Sequence, residues 1–201
     1  MSCGLLFNLS ICKGATFVLP VRWGVEPMNY IDIQAVSNDV PARISAAGHG
    51  LVSGWPVAIT NVRGMKEINA PSFPPPAESF HECTVVDADT IDLHEVNSID
   101  YGTYVSGGIL QYWTMPDLSS YTAVLEVTDP RTGEVIFSFS SVPAVEDIGT
   151  IAIDVSAGSI TIEIPATNTK ELAFQKAAYV LSTVSVTGKV NKVIYGNIKL
   201  S

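Results

Sequence analysis

The chain has 201 residues, of which 47% are apolar and 15% charged, a composition that folds and lies far from the low-hydrophobicity, high-charge signature of disorder. Its net charge of −9, with eleven Lys and Arg thinly spread, offers no electrostatic footprint for phosphate backbones or anionic lipid, so neither nucleic acid nor a membrane is expected as a partner. The cysteines Cys3, Cys12 and Cys83 lack CxxC spacing and read as reduced thiols, not as a disulfide framework or a zinc ribbon.

The apolar run Leu5 to Cys12 has no positively charged leader and contains Asn8 and Ser10, so it reads as a first strand in place of a targeting signal. No run approaches the ~18 apolar residues of a membrane span, and a soluble protein is expected. Residues 5–23 read as two strands around a Lys13-Gly14 turn, with Phe17, Leu19 and Val21 sharing one face. Pro20 suits an edge. Residues 24–30 read as a turn-rich joint. From there to Gly108 the runs ARISAA, WPVAITNV, ECTVV and TIDLHEV are short, rich in Val, Ile and Thr, and separated by Gly, Asn, Asp and Pro clusters, as short strands joined by turns are. Pro71 to Phe80, with Pro71, Pro74, Pro75 and Pro76, cannot sit in a central sheet and predicts a protruding, extended loop.

Ile109 to Trp113 reads as a returning strand and Met115 to Asp117 as an exit joint. Beyond it, YTAVLEVTD and EVIFSFS predict a hairpin with Tyr121, Ala123, Leu125 and Val127 on one face. A second hairpin places Ile151, Ile153 and Val155 beside Ile160, Ile162 and Ile164. Residues 165–174 are the one helix candidate, with Asn168 as N-cap and Glu171 three residues on. Two strands around Gly188-Lys189 end the chain.

Two stretches resemble known families. Ala-Arg-Ile, His-Gly-Leu, Gly-Trp, Arg-Gly-Met, Glu-Ile-Asn, Val-Val-Asp-Ala-Asp-Thr-Ile and Tyr-x-Ser-Gly-Gly, in that order between residues 42 and 108, resemble the small β-barrel related to the first catalytic cysteine half-domain (FCCH) of ubiquitin-activating enzymes, in its bacteriophage form. The Lys-Gly-x-Thr-Phe strand, Tyr-Thr-Ala-x-Leu, Gly-Ser-Ile-Thr-Ile, Tyr-Val-Leu and the closing Tyr-Gly-Asn-Ile resemble a β-sandwich recurring in tailed-phage baseplate and tail-fibre attachment proteins. In that family the first strand leads within a few residues to the Tyr-Thr-Ala strand, whereas here residues 24–120 intervene. The resemblances together imply an all-β protein: a discontinuous sandwich of residues 1–29 and 115–201, one short helix, and a small barrel of residues 30–114 inserted in a loop. Such insertion is tolerated because loop-closure entropy rises slowly with length.

Candidate chemistry is sparse. Gly48-His-Gly-Leu-Val-Ser-Gly54 brushes against the dinucleotide fingerprint, but its third glycine comes late and no helix follows, so it reads as tight turns. His81, Cys83 and His94 are the best metal candidates, yet spacing supplies no fourth ligand. Asp87, Asp89 and Asp92 form an acidic cluster that could serve glycoside hydrolysis or calcium, though VVDADTIDL is also what an Asx-turn hairpin looks like. No cofactor, metal or catalytic residue is expected. The resemblance implies a non-enzymatic virion component, made in the host cytoplasm, that joins tail or baseplate to a fibre and contacts other tail proteins and its own copies in a symmetric ring or oligomer. Its expected contact residues are Phe73, Pro74, Pro75, Pro76 and Phe80 on the proline-rich arm, and Val193 and Tyr195 on the last strand, whose two faces are both partly apolar. The alternatives are a receptor- or carbohydrate-binding module stacking sugars on Trp55, Tyr101, Tyr104, Tyr112 and Trp113, and a cell-wall-polymer hydrolase using the acidic turn.

Overall fold

The computed structural model describes residues 4–201, so Cys3 lies outside the described residues. Gly24–Met115 forms one compact unit, and the segments on either side of it form another. Strands are numbered β1 to β16 in chain order.

The flanking segments build a β-sandwich. Its six-stranded sheet contains β1 (Leu5–Leu6), β2 (Leu9–Ile11), β11 (Tyr121–Thr128), β12 (Val135–Ser140), β15 (Lys176–Ser185) and β16 (Val190–Leu200), with β16 paired to β15, β15 to β11 and β11 to β12. The second sheet has the order β13 (Thr150–Asp154), β14 (Ser159–Ile164), β3 (Phe17–Arg22). Ala123, Leu125 and Val127 of the first sheet and Ile160, Ile162 and Ile164 of the second bury their side chains in one core, the alternation expected of two sheets packed face to face. At roughly 1.5–3 kcal/mol for each large aliphatic side chain removed from water, this shared core is the main stabilising term of the sandwich.

Three expectations change here. Residues 5–23 do not fold back as a hairpin: β2 pairs in parallel with β16, and β3 pairs antiparallel with β14, so the turn at Lys13 and Gly14 carries the chain from one sheet to the other. Period-two burial of Ile11 and Val21 identifies the inward face of a strand but not its neighbour. The helix α1 runs over Ala166–Glu171 with Pro165 at its N-cap, and Asn168 donates instead to the Ile148 carbonyl at 2.8 Å. Val193 is also displaced. Leu181 pairs with Ile194 but Ser182 with Lys192, so Val193 is the extra residue of a β-bulge, and it is buried in the core next to Ile194. Pro20 does lie on an edge strand, β3.

The second unit contains β4 (Val25–Asp32), β5 (Ala35–Val36), β6 (Ala42–Ser45), β7 (Pro56–Arg63), β8 (His81–Asp87), β9 (Thr90–Leu93) and β10 (Ser106–Thr114), in the order β4-β10-β7-β8-β9-β6-β5. Residues 24–30 are therefore mostly strand and not a joint. Met28 pairs with Trp113 and Val25 with Thr114, which leaves Glu26 and Pro27 in a register slip where the missing proline N–H costs no ladder bond. Between β4 and β5 the Ile33 N–H donates to the Gly108 carbonyl and the Gln34 N–H to the Ser45 carbonyl. One extended segment thus bonds β10 at its start and β6 at its end, and the hydrogen bonding returns to the segment where it began. Ile44, Trp55, Met65, Ile91, Leu93 and Leu110 fill the core of this unit.

Candidate interaction surfaces

The proline-rich loop leaves β7 tied down, with the Ala70 N–H on the Ile59 carbonyl. Residues 71–74 bend, and Ala77–Ser79 form a single 3-10 turn, so the loop is not the extended arm expected. The Pro74-Pro75-Pro76 run restricts rotation without drawing the whole segment straight, because the Ser72 hydroxyl bonds the Pro74 carbonyl at 3.2 Å and the Phe80 N–H closes on the Ala77 carbonyl. Phe73 is 70% exposed and Pro74 is exposed, whereas Pro75, Pro76 and Phe80 are half-buried. Phe73 is the one large apolar side chain this loop presents to solvent.

On the last strand, Val193 is buried and presents nothing to a partner, while Tyr195 keeps 38% of its surface. Tyr195 pairs with Leu6 of β1. Leu5, Leu6 and Phe7 are three consecutive exposed apolar residues beside it. Sequence reasoning missed this patch because the run Leu5 to Ile11 carries no alternation until Ile11 enters the core.

The aromatic set does not form a stacking platform. Trp55 is 2% exposed and its indole N–H donates to the Trp113 carbonyl at 2.9 Å. Tyr112 is buried and its hydroxyl donates to the His49 carbonyl, and burial raises its phenol above the ordinary value. Both belong to the core because their large rings contribute most when fully desolvated, with the polar tip satisfied. Tyr101 and Tyr104 pack half-buried against the same core, and the Tyr104 hydroxyl lies 3.1 Å from both the Ile33 and the Gly107 carbonyls. Trp113 remains partly exposed at a shallow cavity of about 260 Å³ that it shares with Asn29, His49, Trp55, Tyr112 and Met115.

The acidic turn is structural. The Asp87 carboxylate accepts the Asp89 N–H at 2.9 Å, an Asx turn, and that bond with a further one from Thr90 holds its acid below the usual range. Asp89 accepts the Gly48 N–H at 2.8 Å. Asp92 pairs with Arg43 at 2.7 and 2.9 Å, and the guanidinium lowers its pKa. His49, on the glycine-rich turn, is buried. Its Nδ1 accepts the Leu51 N–H at 3.0 Å, which places the proton on Nε2, facing the Asp87 carbonyl at 3.1 Å. Cys83 is fully buried and its thiol lies 3.8 Å from the Val52 carbonyl, His81 is exposed at the start of β8, and His94 contacts Thr84 at 2.5 Å. Among the described residues no group of three or more His, Cys, Asp and Glu side chains is disposed to hold a metal ion. No helix among them is long and apolar enough to cross a membrane.

No model of a known protein family matches the chain, and no curated protein matches it in sequence.

Proposed function

We propose that this chain is a non-enzymatic structural component of a bacteriophage tail, an adaptor between tail or baseplate and fibre, in which the unit of residues 24–115 is a small barrel inserted into a sandwich. The observation that carries this reading is the pairing of the first strands with the last. β3 joins β14 and β1 and β2 join β16 across the whole intervening unit, the connectivity that an interrupted attachment-type sandwich requires. The surfaces fit the reading as well: Phe73 on the proline-rich loop, and Tyr195 beside Leu5, Leu6 and Phe7, are exposed apolar groups of the kind that dock by shape and burial. Of the residues of the sugar-binding alternative, Trp55 and Tyr112 belong to the core, and of those of the hydrolase alternative, Asp87 and Asp89 accept backbone N–H bonds of the turns.

The test is physical association with particles. A tagged copy expressed in the producing cell is expected to co-sediment with intact tailed particles and to be labelled on the tail by gold-conjugated antibody. Purified particles devoid of the protein would overturn the reading.

A further inference from the structure

In chain order the lysines are thinly spread, but the fold gathers them. Residues 165–201 hold five Lys and one acidic side chain, Glu171, in a chain of net charge −9. Three of the five stand on one face of the six-stranded sheet. Ala177, Tyr179 and Leu181 of β15 and Ile194 and Ile198 of β16 turn into the core, so alternation turns Lys176, Tyr195 and Lys199 outward. Lys192 joins them through its pairing with Ser182, and all four are exposed. Lys176 and Lys199 are direct cross-strand partners. Like charges so placed, with Cβ atoms about 4.5–5.5 Å apart, destabilise a sheet. No carboxylate relieves them, since the ion pairs among the described residues are Arg43–Asp92 and His94–Glu82. Glu126 is the one acidic side chain that the strands of this face carry among the described residues. It partners Val180, four residues and about 13 Å along β15 from Lys176.

We infer that this face is a docking surface for an acidic segment of another protein. Between the lysines an apolar row, Leu6, Tyr195 and Val180, crosses three strands. Lys199 lies four residues along β16 from Tyr195, about 13 Å, while Lys192 is level with Ser182, two residues and about 7 Å beyond Val180 on the other side. The occupant that fits sets an apolar side chain on Tyr195 and carboxylates to either side of it. Carboxylates there neutralise the opposed lysines, so the sheet bears their repulsion only while the face is empty. A polyphosphate backbone, charged at every step, has no apolar interval to match the row and meets the repulsion of the whole chain. A second copy meets the same repulsion. Several of its carboxylates are also held by its own turns: Asp87, Asp117, Asp129 and Asp154 each accept a backbone N–H two or three residues on. The inference stands on the sheet face itself and holds whether or not the protein belongs to a tail.

The experiment is fluorescence anisotropy of a labelled peptide of about ten residues, one Phe between two clusters of Glu, titrated with the full chain at low salt. Saturable binding is expected with a Kd of about 10 µM to 1 mM, weakening as salt screens the charges. The same peptide with Gln for Glu is expected to bind at least tenfold more weakly. Lys176→Glu and Lys199→Glu are each expected to weaken binding at least tenfold and yet to raise the thermal unfolding midpoint, because each turns a like-charged cross-strand pair into an opposite one. That combination separates a lost site from a damaged fold. Lys189→Gln, in the turn between β15 and β16, is expected to bind as wild type does. Equal binding of the Glu and Gln peptides, or Lys176 and Lys199 variants that bind like wild type, would overturn the proposal. Single-stranded DNA of about twelve nucleotides or phosphatidylserine vesicles binding more tightly than the peptide would overturn the assignment to an acidic protein. Self-association of the chain alone in sedimentation equilibrium, abolished by Lys199→Glu, would overturn the assignment to a different protein.

Discussion

Gln111 is completely buried on β10, and its amide donates to the Thr60 hydroxyl of β7 at 2.5 Å, while its Oε1 has no hydrogen-bond partner. A buried acceptor left unpaired costs its desolvation, so this pair sustains itself with one bond where the amide offers more. Removing the hydroxyl alone strands the rest of the amide. Thr60→Val is expected to destabilise the fold by about 1–3 kcal/mol, and Thr60→Val with Gln111→Leu to recover most of that loss, because replacing both partners by apolar groups of similar shape removes the unsatisfied atoms with the bond. Urea denaturation of the two single variants and the double variant measures this. A double variant no more stable than Thr60→Val would show that the amide is held by something other than Thr60.

At the scale of elements, the N-terminal strands are fastened by a tyrosine and a glycine facing each other across two strands. Tyr179 of β15 lies opposite Gly196 of β16, and its buried hydroxyl donates to the Phe7 carbonyl at 2.6 Å. A side chain at residue 196 would meet that carbonyl oxygen at 2.2 Å, so glycine is what lets the Phe7 backbone approach. Burial raises the Tyr179 phenol to about 12. Its folded value is above the unfolded one of about 10, so the stability it contributes is complete below pH 10 and is lost as pH rises through 12. Tyr179→Phe is expected to cost about 1 kcal/mol at pH 8 and to reduce the alkaline decline, to which the raised Tyr112 phenol contributes in the same direction. Denaturation at pH 8 and pH 11 checks both statements. An unchanged alkaline decline in the variant would assign it elsewhere.

This fastening was not legible in the sequence, although the strands were. Inward faces such as Ala123, Leu125 and Val127 follow from a period of two, which is local. Partners depend on closure of the whole sheet, so β2 and β3 read as a hairpin that does not exist. β4 was hidden by Pro27, whose cost vanishes in a register slip. The bulge puts Val193 on the same buried side as Ile194, while Tyr195, Ile194 and Ile198 keep the faces that alternation assigns them. Of the candidate sites, the Asp87 turn was readable because Asx chemistry spans two residues. The aromatics were not, since whether Trp55 meets solvent is decided by the strands packed over it.

At the scale of the molecule, the second unit begins and ends at one place. Val25 and Thr114 are cross-strand partners, so the chain leaves this unit beside the point where it entered, within the ~5 Å that separates paired strands. Gly24 makes that junction tight: a Cβ there would overlap the Trp113 side chain at 2.0 Å. Each unit has its own buried core, one around Leu125, Ile160 and Leu181 and the other around Ile44, Trp55 and Leu110. Replacing residues 24–115 by a linker of about four Gly and Ser residues bridges a gap of strand-pair size, and loop closure of that length costs little. The shortened chain is expected to be soluble and to unfold in one cooperative transition, with a denaturant m-value reduced roughly in proportion to the surface removed. Residues 24–115 expressed alone are expected to fold as well. Removing residues 1–23 instead takes away β1, β2 and β3 together, exposing the flanks of β16 and β14, and aggregation is expected. A shortened chain that aggregates, or a truncated chain from Pro116 onward that folds in soluble form, would show that the two units are not divided as their strand pairing divides them.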